Sequence, residues 1–337
     1  MLSAELRERA RSLGADLVGI APAVLPPAAQ EGQKAYHAWI ESGMHGEMGY
    51  MAREPEKRAD IRRWYPKARS VIVCAFSYYS AAAPSAASHG RLARYALPPD
   101  YHDGLKDRMG RLLAYFPELK GKVFVDASPV LERLYARYAG IGWVGKNTML
   151  LSRRLGSFFL LAGLAVDQDL DYDPPGAEHC GTCRRCLDAC PTGAFPEPRM
   201  LDASRCISYF TIEQRKRPVP EEFRAGHGDR LFGCDACQDA CPWNKFAAAG
   251  AILKPGLAAA LDLEELARST PQEFNRRFKG TPLRRTGHTA LVRNALLVMG
   301  NSGDRRFVPL LEEFTRHANP LLAGQARWSL AELAAAI

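Results

Sequence analysis

No stretch of the 337 residues is apolar for long enough to cross a membrane, and residues 1–10 alternate like an amphipathic helix instead of a signal core. A twin-arginine export motif is missing as well. Together these absences lead to the expectation of a cytoplasmic chain with no membrane partner, in a compartment that keeps thiols reduced. Cysteine is nearly absent outside one region: eight of the nine lie between Cys180 and Cys241, and only Cys74 stands apart. Cys74 sits in a β-rich run and is expected to be a packed core residue. The glycine loop Gly140 to Thr148 carries neither the Walker pattern nor the dinucleotide fingerprint, so no phosphate cradle follows from it. Otherwise the composition is that of a globular protein, 47% hydrophobic and 24% charged, with room for two or three domains. The net charge of +8 points weakly toward a polyanionic partner.

What is present is a double cysteine run. Cys180, Cys183, Cys186, Cys190 and Pro191 form C-x2-C-x2-C-x3-C-P, and Cys234, Cys237, Cys241 and Pro242 repeat it without the first cysteine. A regular second run would need cysteine where Leu231 stands, and Cys206 is the spare thiol nearby. This spacing belongs to proteins with two 4Fe-4S clusters, in which the last cysteine of each run serves the other cluster. One expected ligand set is Cys180, Cys183, Cys186 and Cys241; the other is Cys190, Cys206, Cys234 and Cys237. Structural zinc fits less well, because zinc sites gather ligands in two pairs. A disulfide framework would suit a secreted chain.

Three blocks follow from composition. Residues 1–168 alternate helices with strands expected at 16–20, 70–77, 122–126 and 157–166, and Ser128-Pro129 is expected to open a helix reaching residue 139. Asp126 ends a strand, where a side chain can enter a cleft or merely cap that helix. A linker rich in Asp and Pro opens the cysteine block, 169–248. In 249–337, apolar residues recur at helical spacing over 289–299, 306–316 and 321–335, the pattern of a HEAT-type repeat. The fold expected is α+β: a mixed-sheet domain, a ferredoxin-like two-cluster domain and a C-terminal helical repeat.

The segments 125–133, 142–147, 206–209 and 241–244, taken with the cysteines, identify the chain as resembling the epoxyqueuosine reductases. The resemblance implies reduction of epoxyqueuosine to queuosine at the tRNA wobble position, with cobalamin and two 4Fe-4S clusters as cofactors. By the same resemblance Asp126 matches the proton donor and Arg58 a cobalamin contact. Gly145, Lys146 and Asn147 match a loop lining the corrin, Ser208 lies in a matching segment, and Gly233, Asp235 and Ala236 match the approach of one cluster to the cofactor. The D-x-H-x-x-G motif that puts a histidine on cobalt is absent, in keeping with that family. A proton donor must hold its proton at neutral pH, so Asp126, buried against an apolar corrin face and away from Lys146 and Arg58, is expected to titrate well above ~3.9.

Between Phe274 and Gly303 there is no carboxylate, while Arg276, Arg277, Lys279, Arg284, Arg285 and Arg293 are all cationic. With Arg215 and Lys216 they form the expected tRNA-backbone surface. The implied partners are tRNA carrying epoxyqueuosine and a cytoplasmic flavodoxin- or ferredoxin-class electron donor; a monomer is expected. A corrinoid-dependent dehalogenase or corrinoid reductase is the rival reading, and a non-catalytic electron-transfer subunit another.

Overall fold

The computed structural model describes residues 1–81 and 86–335. The loop that the sequence suggests over 81–88 falls largely outside them. The first block is built on a four-stranded sheet in the order Leu17–Pro22, Ser70–Ser77, Phe159–Val166, Gly121–Val125. All eight residues of Ser70–Ser77 are buried, which suits a strand covered on both faces. Alternation sends Ile72, Cys74 and Phe76 to one face, where the Leu2–Ser12 and Tyr101–Tyr115 helices pack through Leu6, Ala10, Leu105, Met109 and Leu112. Val71, Val73 and Ala75 meet Leu134, Tyr135 and Tyr138 of the Glu132–Tyr138 helix on the other. Gly163 is required in the sheet: a Cβ there would lie 2.2 Å from the Ile72 carbonyl oxygen.

The sheet differs from the mixed one expected, because every neighbouring pair in it is antiparallel. A parallel neighbour needs a simple crossover, usually one helix. Here the connection from Pro22 to Ser70 holds several helical segments, and the one from Val125 to Phe159 a helix and a short hairpin. The parallel pair lies elsewhere, in a small sheet where His89–Leu92 joins Arg230–Phe232, with Ala260–Asp262 antiparallel on its other edge. One strand from each block therefore meets there, and Leu92, Ala96 and Leu97 share a core with Leu231, Phe232 and the C-terminal helices. Helices His288–Asn301, Val308–Phe314 and Pro320–Ala335 appear where the apolar spacing puts them. The first is the central one: every residue from Ala290 to Gly300 is buried.

Candidate active site

The thiols are gathered in two foursomes. Burial raises the Cys186 thiol, and the sulfurs adding to that rise are Cys241, Cys180 and Cys183. Burial pushes Cys206 up to about 12, with Cys234 and Cys190 adding. Cys237, raised well above its ordinary value by burial, has Cys206, Cys234 and Cys190 as its strongest thiol neighbours. The foursomes differ in depth. Around Cys180, Cys183 and Cys186 the residues His179, Gly181, Thr182, Arg184 and Arg185 are exposed, whereas Thr192, Ala194, Ile207, Leu231, Phe232 and Gln238 around the other set are buried. Cys74 is fully buried in the sheet, its thiol raised to about 12 by burial.

Partly buried Tyr95 links the inner foursome with the region of Asp126: burial raises its hydroxyl, and the charges of Asp126 and of Asp235, the residue after Cys234, both add to that rise. Asp126 follows the Gly121–Val125 strand and takes φ +40°, left-handed backbone that a side chain rarely adopts. The helix after it starts only at Glu132, with Leu131 at its cap position, so Asp126 caps nothing and Ser128-Pro129 opens a turn rather than the helix. Tyr101 Oη donates to Asp126 Oδ2 at 2.7 Å, and His102 Nε2 lies 3.0 Å from the same oxygen. The other His102 ring nitrogen meets Asp100 Oδ1 at 2.7 Å. Half of the Asp126 side chain, 51%, faces open space.

The chain's own groups alone do not supply the rise expected for Asp126. Burial pulls its carboxyl upward, but the bonds from His102 and Tyr101, with the His102 and Arg285 charges, outweigh that and leave it below the ordinary aspartate value. The hydrogen bond to Asp126 raises His102 to about 9 against the opposing effect of burial, so the imidazole is protonated at neutral pH. The carboxyl that does rise well above its usual range is Glu132, through burial and the nearby Asp126 charge, and its Oε1 has no partner. Arg58 is buried behind the same turn, its guanidinium donating to the carbonyls of Ser128 at 3.4 Å and Tyr50 at 3.3 Å while its Nε finds no acceptor.

Opposite stand groups from the other blocks. Arg285 donates to Glu213 Oε1 at 2.9 Å and to the Tyr50 hydroxyl at 3.3 Å, and the Tyr50 hydroxyl in turn lies 3.4 Å from Glu213. Burial, then Glu213, raises Tyr50 to about 12. Sequence reasoning missed Tyr50, Tyr101, His102, Glu132 and Glu213; Glu132 lies within the segment 125–133, whose pattern does not show its burial, and the adjacent Tyr101-His102 at a helix start was the other local signal.

The remaining candidates divide. Asn147 is buried, its amide 3.4 Å from the Cys237 carbonyl, and Gly145 packs against Leu151 and Asn147 so closely that a Cβ would meet them at 2.5 and 2.9 Å. Lys146 turns the other way: its ammonium donates to the carbonyls of Gly181 at 2.6 Å and Cys183 at 2.9 Å, holding the outer cysteine loop. Ser208 follows Cys206 at the start of the Ile207–Ile212 helix, and Gly233, at φ +70°, donates its N–H to Thr211 Oγ1. Asp235 is engaged by Arg94, whose backbone N–H and guanidinium both reach its Oδ2, at 2.9 and 3.0 Å. Gly233, Cys234, Asp235 and Ala236 border one cavity with Arg94.

The cations expected to form one surface do not. Arg293 is fully buried and donates to the carbonyls of Phe210, Gln214 and Arg217 and to Asn294 Oδ1. It stitches the central C-terminal helix to the carbonyl end of Ile207–Ile212, where helix carbonyls lack partners of their own. Arg277 pairs with Glu265 at 3.0 Å and Arg285 with Glu213 at 2.8 Å: carboxylates from other segments supply the sign that the stretch itself lacks. Arg276, Lys279, Arg284 and Lys216 are exposed without an ion pair among the described residues, and exposed Arg215 reaches the Arg285 carbonyl.

Comparison with known proteins accounts for this arrangement. The family model described as epoxyqueuosine reductase QueG, DUF1730, matches residues 58–127, and that of a 4Fe-4S double cluster binding domain matches 179–244. An epoxyqueuosine reductase of Cyclobacterium marinum is 40% identical over 86% of this chain and 94% of its own length. That of Pseudomonas aeruginosa is 38% identical over 98% and 94%. A solved epoxyqueuosine reductase holding a tRNA-Tyr epoxyqueuosine-modified stem loop superposes with TM-score 0.89 at 31% identity, over 98% of this chain and 90% of that one. A Bacillus subtilis epoxyqueuosine reductase, described with its catalytic aspartate loop swung out of the active site, gives 0.89 at 30% over the same shares. The chain belongs to the epoxyqueuosine reductase family, oxidoreductases that reduce epoxyqueuosine in tRNA to queuosine.

Proposed function

We propose that this chain carries out that reduction at the tRNA wobble position, the last step of queuosine synthesis, with cobalamin in the cleft and two 4Fe-4S clusters feeding it. The observation that carries the reading is the polar cluster about Asp126, to which all three blocks contribute groups: Tyr101 and His102 from the first, Glu213 from the second and Arg285 from the third. Two foursomes of thiols suit two clusters, and the crossover assignment of Cys241 and Cys190 follows their neighbours. The residues suit a polar-edged cofactor: Arg58 keeps a buried Nε without an acceptor, and Asp126 faces open space. Arg58, Gly145, Asn147, Ser208, Gly233 and Ala236 would line it, while Lys146 and Asp235 act one step back, through the outer loop and Arg94. When bound, cobalamin supplies the low-potential electrons that open the epoxide.

The chain's own groups manage the protons. An epoxide becomes an alkene and water by taking up an electron pair and a pair of protons. In the resting network His102 holds one proton against Asp126 Oδ2, and passing it through that carboxyl to the departing oxygen supplies one of the pair, the second coming from solvent. Its left-handed backbone places the carboxylate on a short turn, and the Bacillus subtilis relative is described with such an aspartate loop swung out of the active site. Arg285, Tyr50 and Glu213 form the opposite wall, where a base swung out of the anticodon loop would enter. Arg276, Lys279 and Arg284 on the C-terminal block, which we read as a HEAT-like helical unit, with Arg215 and Lys216 beside it, would take backbone phosphates. The test is tRNA from a deletion strain, examined by mass spectrometry: epoxyqueuosine should accumulate and the intact gene should restore queuosine. Normal queuosine without the gene would overturn the proposal.

A further inference from the structure

The outer foursome lies under an aromatic collar. Trp143 Nε1 donates to Cys180 Sγ at 3.4 Å, and Trp143 packs edge-on against His179 at 4.9 Å and Trp243 at 5.1 Å. Trp243 continues to Phe246 at 5.9 Å, and Lys245 stands over the Phe246 ring at 4.8 Å. Phe246 is 46% exposed, one of the few large apolar side chains so placed among the described residues. Ser157 N–H, bonded to Asn244 at 2.6 Å, holds the Arg153-Arg154 turn beside this collar. Arg153, Arg154, Arg185 and Lys245 are all exposed with no ion pair among the described residues. The carboxylates close by are already engaged, Glu178 by Arg199 and Asp188 by Arg184.

We propose that this collar is the docking surface for a small acidic one-electron carrier protein of the flavodoxin or ferredoxin class, and that electrons enter the chain at the outer foursome. It rests on the reading of that foursome as a 4Fe-4S cluster. An apolar centre ringed by unpaired positive charge suits a transient partner of opposite charge, because the charge steers encounter and the small apolar patch permits release. RNA carries the same sign, but among the described residues no hydrogen bond or ion pair joins this collar to Asp126 or Arg285, where the base would enter. The direction of electron flow follows: carrier, outer foursome, inner foursome, cleft.

The experiment is anaerobic stopped-flow reduction of full-length Arg153→Glu/Lys245→Glu, with the Gln pair as a milder variant, using reduced flavodoxin as probe and dithionite as control. The second-order rate with flavodoxin should fall about tenfold or more and lose its dependence on ionic strength. Dithionite reduction, iron content and tRNA stem-loop affinity should stay at wild-type values. An unchanged flavodoxin rate in both variants overturns the docking surface, and a loss confined to stem-loop affinity assigns the face to RNA instead. Wild-type protein without cluster absorbance would overturn the cluster reading itself, an outcome visible before any variant is made.

Discussion

The two cysteine foursomes are built from nearly the same run of residues, yet their surroundings are opposites. The outer one is ringed by exposed side chains and an indole N–H that donates to Cys180. The inner one is packed among buried residues, with burial raising Cys206, Cys234 and Cys237. Equal local spacing therefore does not give equal chemistry. What separates them is tertiary: the outer set meets solvent, and the inner set meets the Asp126 side of the molecule. An electron relay needs that asymmetry, with one end open to a partner and the other shielded so that reducing power reaches only the substrate.

The largest break in this comparison comes from Cys206. Cys206→Ala removes a thiol that Leu231 cannot replace, so iron should fall, the inner cluster's spectrum should vanish and turnover should be lost with any reductant. Unchanged iron and spectra in the variant would contradict the assignment, and Cys74→Ser serves as the control that keeps both. His102→Gln acts next, on the proton side of the inner end. His102 rises above its ordinary ~6.5 by its bond to Asp126, so it holds its proton below a pH of about 9 and loses it above. Wild-type turnover should decline as pH passes through about 9, and the variant should be slower by roughly tenfold at neutral pH with that decline gone. The same pair links folding to pH. The His102 contribution is fully present below ~6.5 and lost as pH rises through about 9. That of Asp126, whose carboxyl is depressed, is present above ~3.9 and lost on acidification. A pH–rate profile identical in both proteins would remove His102 from the proton path.

Arg293→Met tests the frame behind the inner end. It strands the buried carbonyls of Phe210, Gln214 and Arg217, at a cost on the order of 3 kcal/mol, which denaturant unfolding would register. A stable variant with weakened tRNA binding would restore its phosphate role. The smallest effect is expected from Arg276→Ala/Lys279→Ala/Arg284→Ala, in which the log–log salt slope of stem-loop binding should flatten by about one unit per lost phosphate contact. An unchanged slope would leave those cations as ordinary surface charge.

The double-cluster domain was legible in the sequence because cluster ligands are spaced by short gaps along one chain, as the family match over 179–244 bears out. The strand Ser70–Ser77 was legible for a similar reason, being a continuous apolar run. The cleft was not. Asp126 and His102 are 24 positions apart and meet only because the Tyr101–Tyr115 helix packs under the sheet. Charge was the least reliable signal: Arg293 looks like its neighbours in sequence, but the central helix turns it inward, and Arg277 and Arg285 find carboxylates from Glu265 and Glu213. Strand direction escaped because alternation of helix and strand does not say how many helical passes separate two strands.

The central claim, that the shielded end does its chemistry at Asp126, is tested most directly by single turnover of Asp126→Asn on an epoxyqueuosine-containing stem loop, with the clusters and cobalamin reduced beforehand. Asparagine keeps the shape of the side chain and can still bond Tyr101 and His102, but carries no charge to draw and direct the proton. The account predicts queuosine formation slower by roughly a hundred- to ten-thousand-fold, with cofactor content and stem-loop affinity unchanged. Formation at close to the wild-type rate would contradict it.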